Sequence, residues 1–573
     1  MRMWNRVGVM ITLATLLVAC DSGRSGGSQR TSPMGTEMQT PKRITLAVVT
    51  EPTALRTQLS RSSIGSLPGS QELEQLVHAG LAIMDVSGKL QPQLAEAVPT
   101  IENGGWAVFP DGRMEVTWKL RQGARWQDGT PLTSDDIIFT STVARDRELL
   151  VFRNLAFDSV DSVEAPDATT VVVKWSKPWI TADTLFAAYA AVPVLPLPKH
   201  LLETAYTEAK ATIPDLSFWS DDFVGAGPYR LKAWARGSHL QLAASDVYVL
   251  GRPKVDEITV KFIRDRGTLT ASLLGGDVEL PLGNTLSLEE AVHLQEQWKD
   301  GSVEFSPTTT LKIWPQFRSP NPPVVGNVGF RRALLHSLDR QQMADSLGLG
   351  QSSVSDSTLS PLDPEYPQLQ GSIVRYPYDP RLGAQLIAGL GYARGSDEMW
   401  RDASGQPLSI EVRTVPRDIL IKSILSAADD WKRSGVNVDP IILTEQQRSD
   451  PAFYATYPAF DAAASNNGVE EFFAFHSSQA KVPENRYSGS NRSSYTNADL
   501  DSLIDRFFTA VPTGERTQVA GQIVHHVTDQ VVFLPLFFDL SPTMVANRLA
   551  NVSRRLPRSA TPTWNAHLWD VQG

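Results

Sequence analysis

The sequence predicts a mixed α/β protein of several lobes. Its 573 residues exceed what one hydrophobic core organises, which is about 250–300 residues. Strand-like period-2 stretches and helix-like stretches also alternate along it, with no internal repeat of fixed period. Order begins at Arg43-Ile44-Thr45-Leu46-Ala47-Val48-Val49, a strand-like run ending at Glu51-Pro52, and a helix is expected over about Glu72 to Leu81. Met114, Val116, Trp118 and Leu120 alternate with Glu115, Thr117 and Lys119, which marks a strand with one wet face, entered through the turn Pro110-Asp111-Gly112. Trp106 and Val108 belong on its antiparallel partner, and Val171, Val173 and Trp175 on a further strand. Thr133-Ser134-Asp135-Asp136 reads as a helix start, because Thr caps orphan amides and carboxylates suit the positive helix end.

Later in the chain, Phe330, Leu334 and Leu338 recur at helical spacing, with Arg331 and Arg332 on the other side. Asp379 before Pro380 is a cap followed by a first-turn proline, and Leu382, Leu386, Ile387 and Leu390 form that helix's stripe until Gly391. Another helix runs to about Arg433 and stops near Gly435, ahead of a strand through Val436 and Val438.

Composition is that of an ordinary globular protein. With 53 Lys+Arg against 63 Asp+Glu, the chain lacks the basic balance of a nucleic-acid binder. Its single cysteine, Cys20, excludes an intrachain disulfide and a thiolate-built zinc site. That cysteine has a telling position. Arg2 and Arg6 form a basic n-region, and Val7 to Ala19 is an apolar stretch of signal-peptide length, short of the ~20 residues of a membrane span. Leu17-Val18-Ala19-Cys20 resembles a bacterial lipobox, which implies that residues 1–19 are cleaved and Cys20 is acylated; a plain signal peptide beside a chance cysteine is the alternative. Residues 20–42, rich in Ser, Gly, Thr and Gln, then read as a flexible tether.

Five blocks carry a resemblance. "GKLQPQLAEAVP" (88–99), "VTWKLRQGARWQDGTPLTSDDIIFT" (116–140), "FVGAGPYRLKAW" (223–234), "VGFRRALLHSLDRQQMADSL" (328–347) and "YDPRLGAQLIAGLGY" (378–392) resemble the family 5 solute-binding lipoproteins of peptide/nickel-type ABC importers. The resemblance implies an α/β, bilobate periplasmic-binding-protein-like clamp of type II with an additional domain inserted in the first lobe. It implies lobe I at 43–85, 205–310 and a C-terminal return at 544–573, the inserted domain at 86–204, and lobe II at 311–543. "TPTWNAHLWDVQG" (561–573) resembles the family's ending. It further implies no enzyme activity, no cofactor and no metal. The partners it implies are a peptide or other small solute, ABC permease subunits, membrane lipid through acylated Cys20, and no nucleic acid. The protein is expected to be a monomer, lipid-anchored outside the cytoplasm, on the periplasmic side in a Gram-negative cell. A sensor or structural lipoprotein on the same fold, signalling to a membrane partner, is the alternative use, with a hydrolase behind it.

Site residues follow less directly. Peptide-binding relatives carry an aspartate within "W..DY..P" that pairs with a peptide's α-ammonium. The corresponding "FDAAASNNGVEEFFAFHSS" (460–478) lacks that pattern and offers Asn466, Asn467, Glu470 and Glu471 instead. Glu470 or Glu471 supplies the anion, or the two form a solvated acidic turn. Glu51, at the end of the first strand, stands where relatives have a ligand-facing loop. Trp314 and Phe317, in "LKIWPQF" (311–317), form an aromatic wall or pack in the core. Arg413, on the polar phase of "LSIEVRTV" (408–415), meets a carboxylate or lies on the surface. Trp118 and Trp126 are assigned to the inserted domain's core, and His336 to packing or surface. No H-E-x-x-H, phosphate-cradling GK[ST] or nucleophile–base spacing occurs, so no catalytic residue is assigned.

Overall fold

The strand Arg43–Val48 buries both faces: Ile44, Leu46 and Val48 enter one core and Ala47 another. It is flanked by parallel neighbours, Glu257–Phe262 and Leu280–Pro281, in a five-stranded sheet completed by the hairpin Tyr229–Ala235/His239–Ala244. The computed structural model describes residues 40–62, 65–188, 193–556 and 560–572, so the signal peptide, Cys20 and the tether up to residue 39 lie outside the described residues. Every element below belongs to the unit Pro41–Gly573.

A four-stranded antiparallel sheet (Trp106–Val108, Met114–Lys119, Thr170–Trp175, Val160–Asp167) forms a separate body beside the first sheet. Met114, Val116 and Trp118 point inward, as the alternation predicts, and Trp118 and Trp126 are fully buried in its core. The helix beginning at Ser134 carries half of the expected cap: the Asp136 carboxylate accepts the Thr133 N–H at 2.9 Å. In "GAGP", a side chain on Gly225 would meet the Val77 carbonyl oxygen at 2.0 Å, so the glycine is required by close packing.

The second lobe holds another five-stranded sheet, ordered Asn437–Ile442, Ser409–Thr414, Phe460–Asn466, Gly301–Pro315, Leu534–Ala546. Helices Val328–His336, Pro380–Gly389 and Asp418–Arg433 cover one face, and Ala498–Thr509 with Thr513–Asp529 the other. Asp379 caps its helix as expected, accepting from the Arg381 and Leu382 amides. His336 packs, with Nδ1 2.8 Å from the Pro377 carbonyl.

Two expectations need correction. The helix expected over 72–81 is Ser70–Val77, because Gly80 lies against the backbone of Phe186 and Ala188 and the chain leaves the helix to make that contact. Arg331, expected on the side away from the core, is 2 % exposed. Its guanidinium donates to the carbonyls of Val325, Gln530 and Val531, the last two just past the helix Thr513–Asp529, where carbonyls lack helical partners.

Candidate functional site

The two lobes are joined by a ribbon. Gly301–Pro315 and Leu534–Ala546 pair antiparallel from Gly301↔Ala546 to Ile313↔Leu534. At one end Val303, Met544 and Ala546 pack with Ala47, Leu269 and Leu294 of the first lobe; at the other, Thr309–Pro315 pairs with Phe460–Asn466 of the second. Register slips twice between these ends, after Pro307 and after Thr310. Proline has no N–H for the ladder, and a bulge concentrates bend and twist, so the ribbon is weakest where it passes between lobes.

The crossing is floored with buried polar groups. Thr310 Oγ1 donates to Asn467 Oδ1 at 2.6 Å, and Asn467 Nδ2 donates to the Pro307 carbonyl at 3.2 Å. Ser355 Oγ lies 3.4 Å from the Thr310 hydroxyl and donates to the Ser357 carbonyl, while Thr358 accepts the Gly468 N–H. Lys312 is 1 % exposed; its ammonium donates to Ser465 Oγ at 2.6 Å and sits 4.8 Å from the Phe533 ring centroid. Buried polar groups that hydrogen-bond one another in this way make a rigid floor.

Contacts above this floor run from the inserted domain to the second lobe. Ile180 packs against the cluster containing Trp314 and Phe475, and Val511 packs against the inserted domain's core. A recess of about 190 Å³ abuts the ribbon's Ser306, Thr308, Ser541 and Thr543, with Glu72 and Gly283 across from them. Burial pushes the Glu72 carboxyl above its ordinary value. A larger cavity of about 490 Å³ opens between Asn284, Leu286 and Glu289 of the first lobe and Leu347, Arg417 and Lys422 of the second.

The expected site residues do not gather in one place. Thr309↔Asn466 is a ladder pair, with Asn466 exposed, Asn467 buried in the floor, and Glu470 and Glu471 on the following 3-10 turn, Val469–Phe475. Trp314 is 6 % exposed between Phe475 and Phe533, its centroid 5.4 Å from the latter's, so of the two readings core packing is the geometry found. Phe317 sits apart, edge-on to Tyr495 at 4.8 Å and under the Arg331 guanidinium.

Arg413 is a correction. Its phase is opposite to Ile410 and Val412, as expected, but a second layer covers that phase and leaves it 2 % exposed. Its fork donates to Asp461 and to the carbonyls of Phe453 and Tyr454, so it neither lies on the surface nor offers an open fork. Glu51 belongs to the other lobe: its two oxygens accept from Trp234 Nε1 and the Gly237 N–H, each at 2.9 Å, pinning the hairpin tip.

Sequence reasoning missed Thr310, Lys312 and the Ser355–Thr358 stretch. The first two had a signal: they share a strand phase with Trp314, opposite Leu311 and Ile313. The serine-rich stretch "SSVSDSTLS" (352–360) has no periodicity and reads only as loop.

Comparison with known proteins completes the picture. The model of the bacterial extracellular solute-binding proteins, family 5 (middle region), matches residues 89–479. The oligopeptide-binding protein AppA of Bacillus subtilis is 24 % identical over 508 residues, covering 87 % of this chain and 86 % of that protein. Heme-binding protein A of Haemophilus influenzae is 23 % identical over 482 residues, covering 80 % and 81 %. Among solved structures, AppA in complex with a nonapeptide matches with a TM-score of 0.67 at 20 % identity, covering 93 % of this chain and 100 % of that one. NikA from Brucella suis in complex with Fe(III)-EDTA matches at 0.73 and 19 % identity, covering 92 % and 100 %. These structures share the bilobate fold with this chain.

Proposed function

The chain belongs to the bacterial extracellular solute-binding proteins, family 5, and from that premise we propose that it is the capture subunit of an ABC importer. It takes a peptide-like solute between its two lobes, closes by bending the ribbon at Pro307–Thr310, and delivers the solute to a membrane permease. As a solute-binding protein it is a transport component and not an enzyme. The observation that carries the reading is the slipped ribbon, because hinge closure needs two rigid lobes joined by few strands. The solute biases closure only through contacts it makes better in the closed form. A peptide-like solute fits relatives named for oligopeptides and one solved with a nonapeptide; a metal chelate, as in the relative solved with Fe(III)-EDTA, is the competing class.

In this reading Asn466, Glu470 and Glu471 face the solute, one glutamate meeting a cationic group, over the floor that Asn467, Thr310 and Trp314 hold in place. Lobe I takes residues 43–85, 205–310 and 544–573, the inserted domain 86–204, and lobe II 311–543. Cys20 carries the lipid that moors the monomer outside the cytoplasm, giving a high local concentration near its permease. Native mass spectrometry of the mature lipoprotein tests this. The expected result is a mass increment of a peptide-like solute, and a radius of gyration that falls when that solute is added back to stripped protein. A stripped protein whose scattering is unmoved by every peptide and chelate offered would refute it.

A further inference from the structure

Beyond the ribbon, the second lobe gathers three cations around one carboxylate. Arg413 Nε donates to Asp461 Oδ1 at 3.2 Å, and Arg492 Nη1 donates to Asp461 Oδ2 and, at 2.8 Å, to Tyr454 Oη. Lys481 holds its ammonium 5.2 Å from the Tyr454 ring centroid, and the Arg492 guanidinium lies 5.1 Å from the same centroid. Among the described residues, no carboxylate lies within 4.0 Å of the Lys481 ammonium. The patch therefore has two positive charges more than its carboxylate neutralises. Asp461 is opposite Trp314, seven positions beyond Pro307, which places the patch about 20 Å along the sheet from the crossing.

We infer that Lys481, Arg492 and the Tyr454 hydroxyl form a second binding site, away from the crossing, for a small oxyanion such as phosphate, sulfate or a carboxylate. Arg492 gives Nη1 to Asp461 and Tyr454 and keeps the rest of its fork for a ligand, while Lys481 brings a compact ammonium to the same Tyr454 ring. A half-buried ammonium beside two guanidiniums is an unfavourable arrangement until an anion joins it. Burial, and then Arg492, push the Lys481 ammonium down to about 8, consistent with that unrelieved repulsion.

The test is thermal melting of the whole chain in sulfate, phosphate, acetate or chloride at matched ionic strength, with Lys481→Gln and Lys481→Arg alongside. Sulfate stabilises most proteins by surface exclusion, so the informative quantity is the difference between variants. Wild type and Lys481→Arg should show saturable stabilisation by at least one oxyanion. Lys481→Gln, a change at a partly exposed position that leaves the Asp461 pairs intact, should raise the half-saturating concentration tenfold or more. Phosphate and sulfate acting without acetate would assign a tetrahedral oxyanion, and all three acting would assign carboxylates too. Equal responses from wild type and Lys481→Gln, or no saturable response to any oxyanion, would overturn the site. Solute capture at the crossing is scored separately, so its failure leaves this result readable.

Discussion

Gly88 is a position at which the proposed closure can be tested. It occupies a turn of the inserted domain at φ +76°, and a β-carbon built there lies 2.5 Å from Cγ of Pro364 in the second lobe and 3.3 Å from its Cδ. Carbon atoms in contact prefer about 3.5–4.0 Å, so Gly88→Ala must part the lobes here by about 1 Å. Two costs arise and they separate cleanly. The left-handed backbone costs roughly 1–2 kcal/mol with any side chain, but the open and closed forms bear it equally. The overlap exists only when the lobes meet, and overpacking of this kind costs about 1–3 kcal/mol. That difference weakens solute binding roughly 5- to 150-fold. Titration calorimetry with the co-purifying solute measures it, and Pro364→Ala, which deletes Cγ, should restore most of the loss in the double variant. Wild-type affinity in Gly88→Ala, or a loss that Pro364→Ala leaves intact, would show that the lobes do not close through this contact.

Asp461→Ala should destabilise the second lobe by about 3–5 kcal/mol, because it strips two guanidiniums of their shared carboxylate. With a slope of roughly 2–3 kcal/mol per molar urea, the midpoint falls by about 1–2.5 M in far-UV circular dichroism. Asp183 makes a pH prediction. Burial raises its carboxyl to about 6, above an unfolded value near 3.8, so the folded form binds this proton more tightly. Its contribution to stability is complete below about pH 3.8 and is lost as pH rises to 6. Asp183→Asn removes that loss, and its melting temperature relative to wild type should climb between pH 4 and 6 and level off above. Cys20→Ser should abolish incorporation of a labelled fatty acid and leave residue 20 unmodified in peptide mass mapping.

Local chemistry was readable in the chain where one physical rule acts alone. The Met114/Val116/Trp118 alternation, the Asp379 cap with its proline, and the burial of Trp118 and Trp126 all depend on neighbours within a few residues or on one apolar face. Site residues were harder because their roles depend on what arrives from far along the sequence. Period 2 separates Arg413 from Val412, but it cannot tell that the segment carrying Phe453, Tyr454 and Tyr457 covers the polar phase and turns an expected surface arginine into a buried partner of Asp461. Lys312 is buried as well, and Ser465 and the Phe533 ring are among the groups that receive its ammonium.

The mixed α/β character, the order of the segments and the family likeness are legible in the chain alone, since propensity, periodicity and short motifs are written in adjacent residues. Folding brings residues 301–315 and 534–546 together as one slipped ribbon, makes Asn467 floor and Asn466 rim, and sets Glu51 to tie down a hairpin. Those outcomes rest on contacts between residues tens to hundreds of positions apart. Such contacts are selected by packing of the whole chain, and no local pattern encodes them.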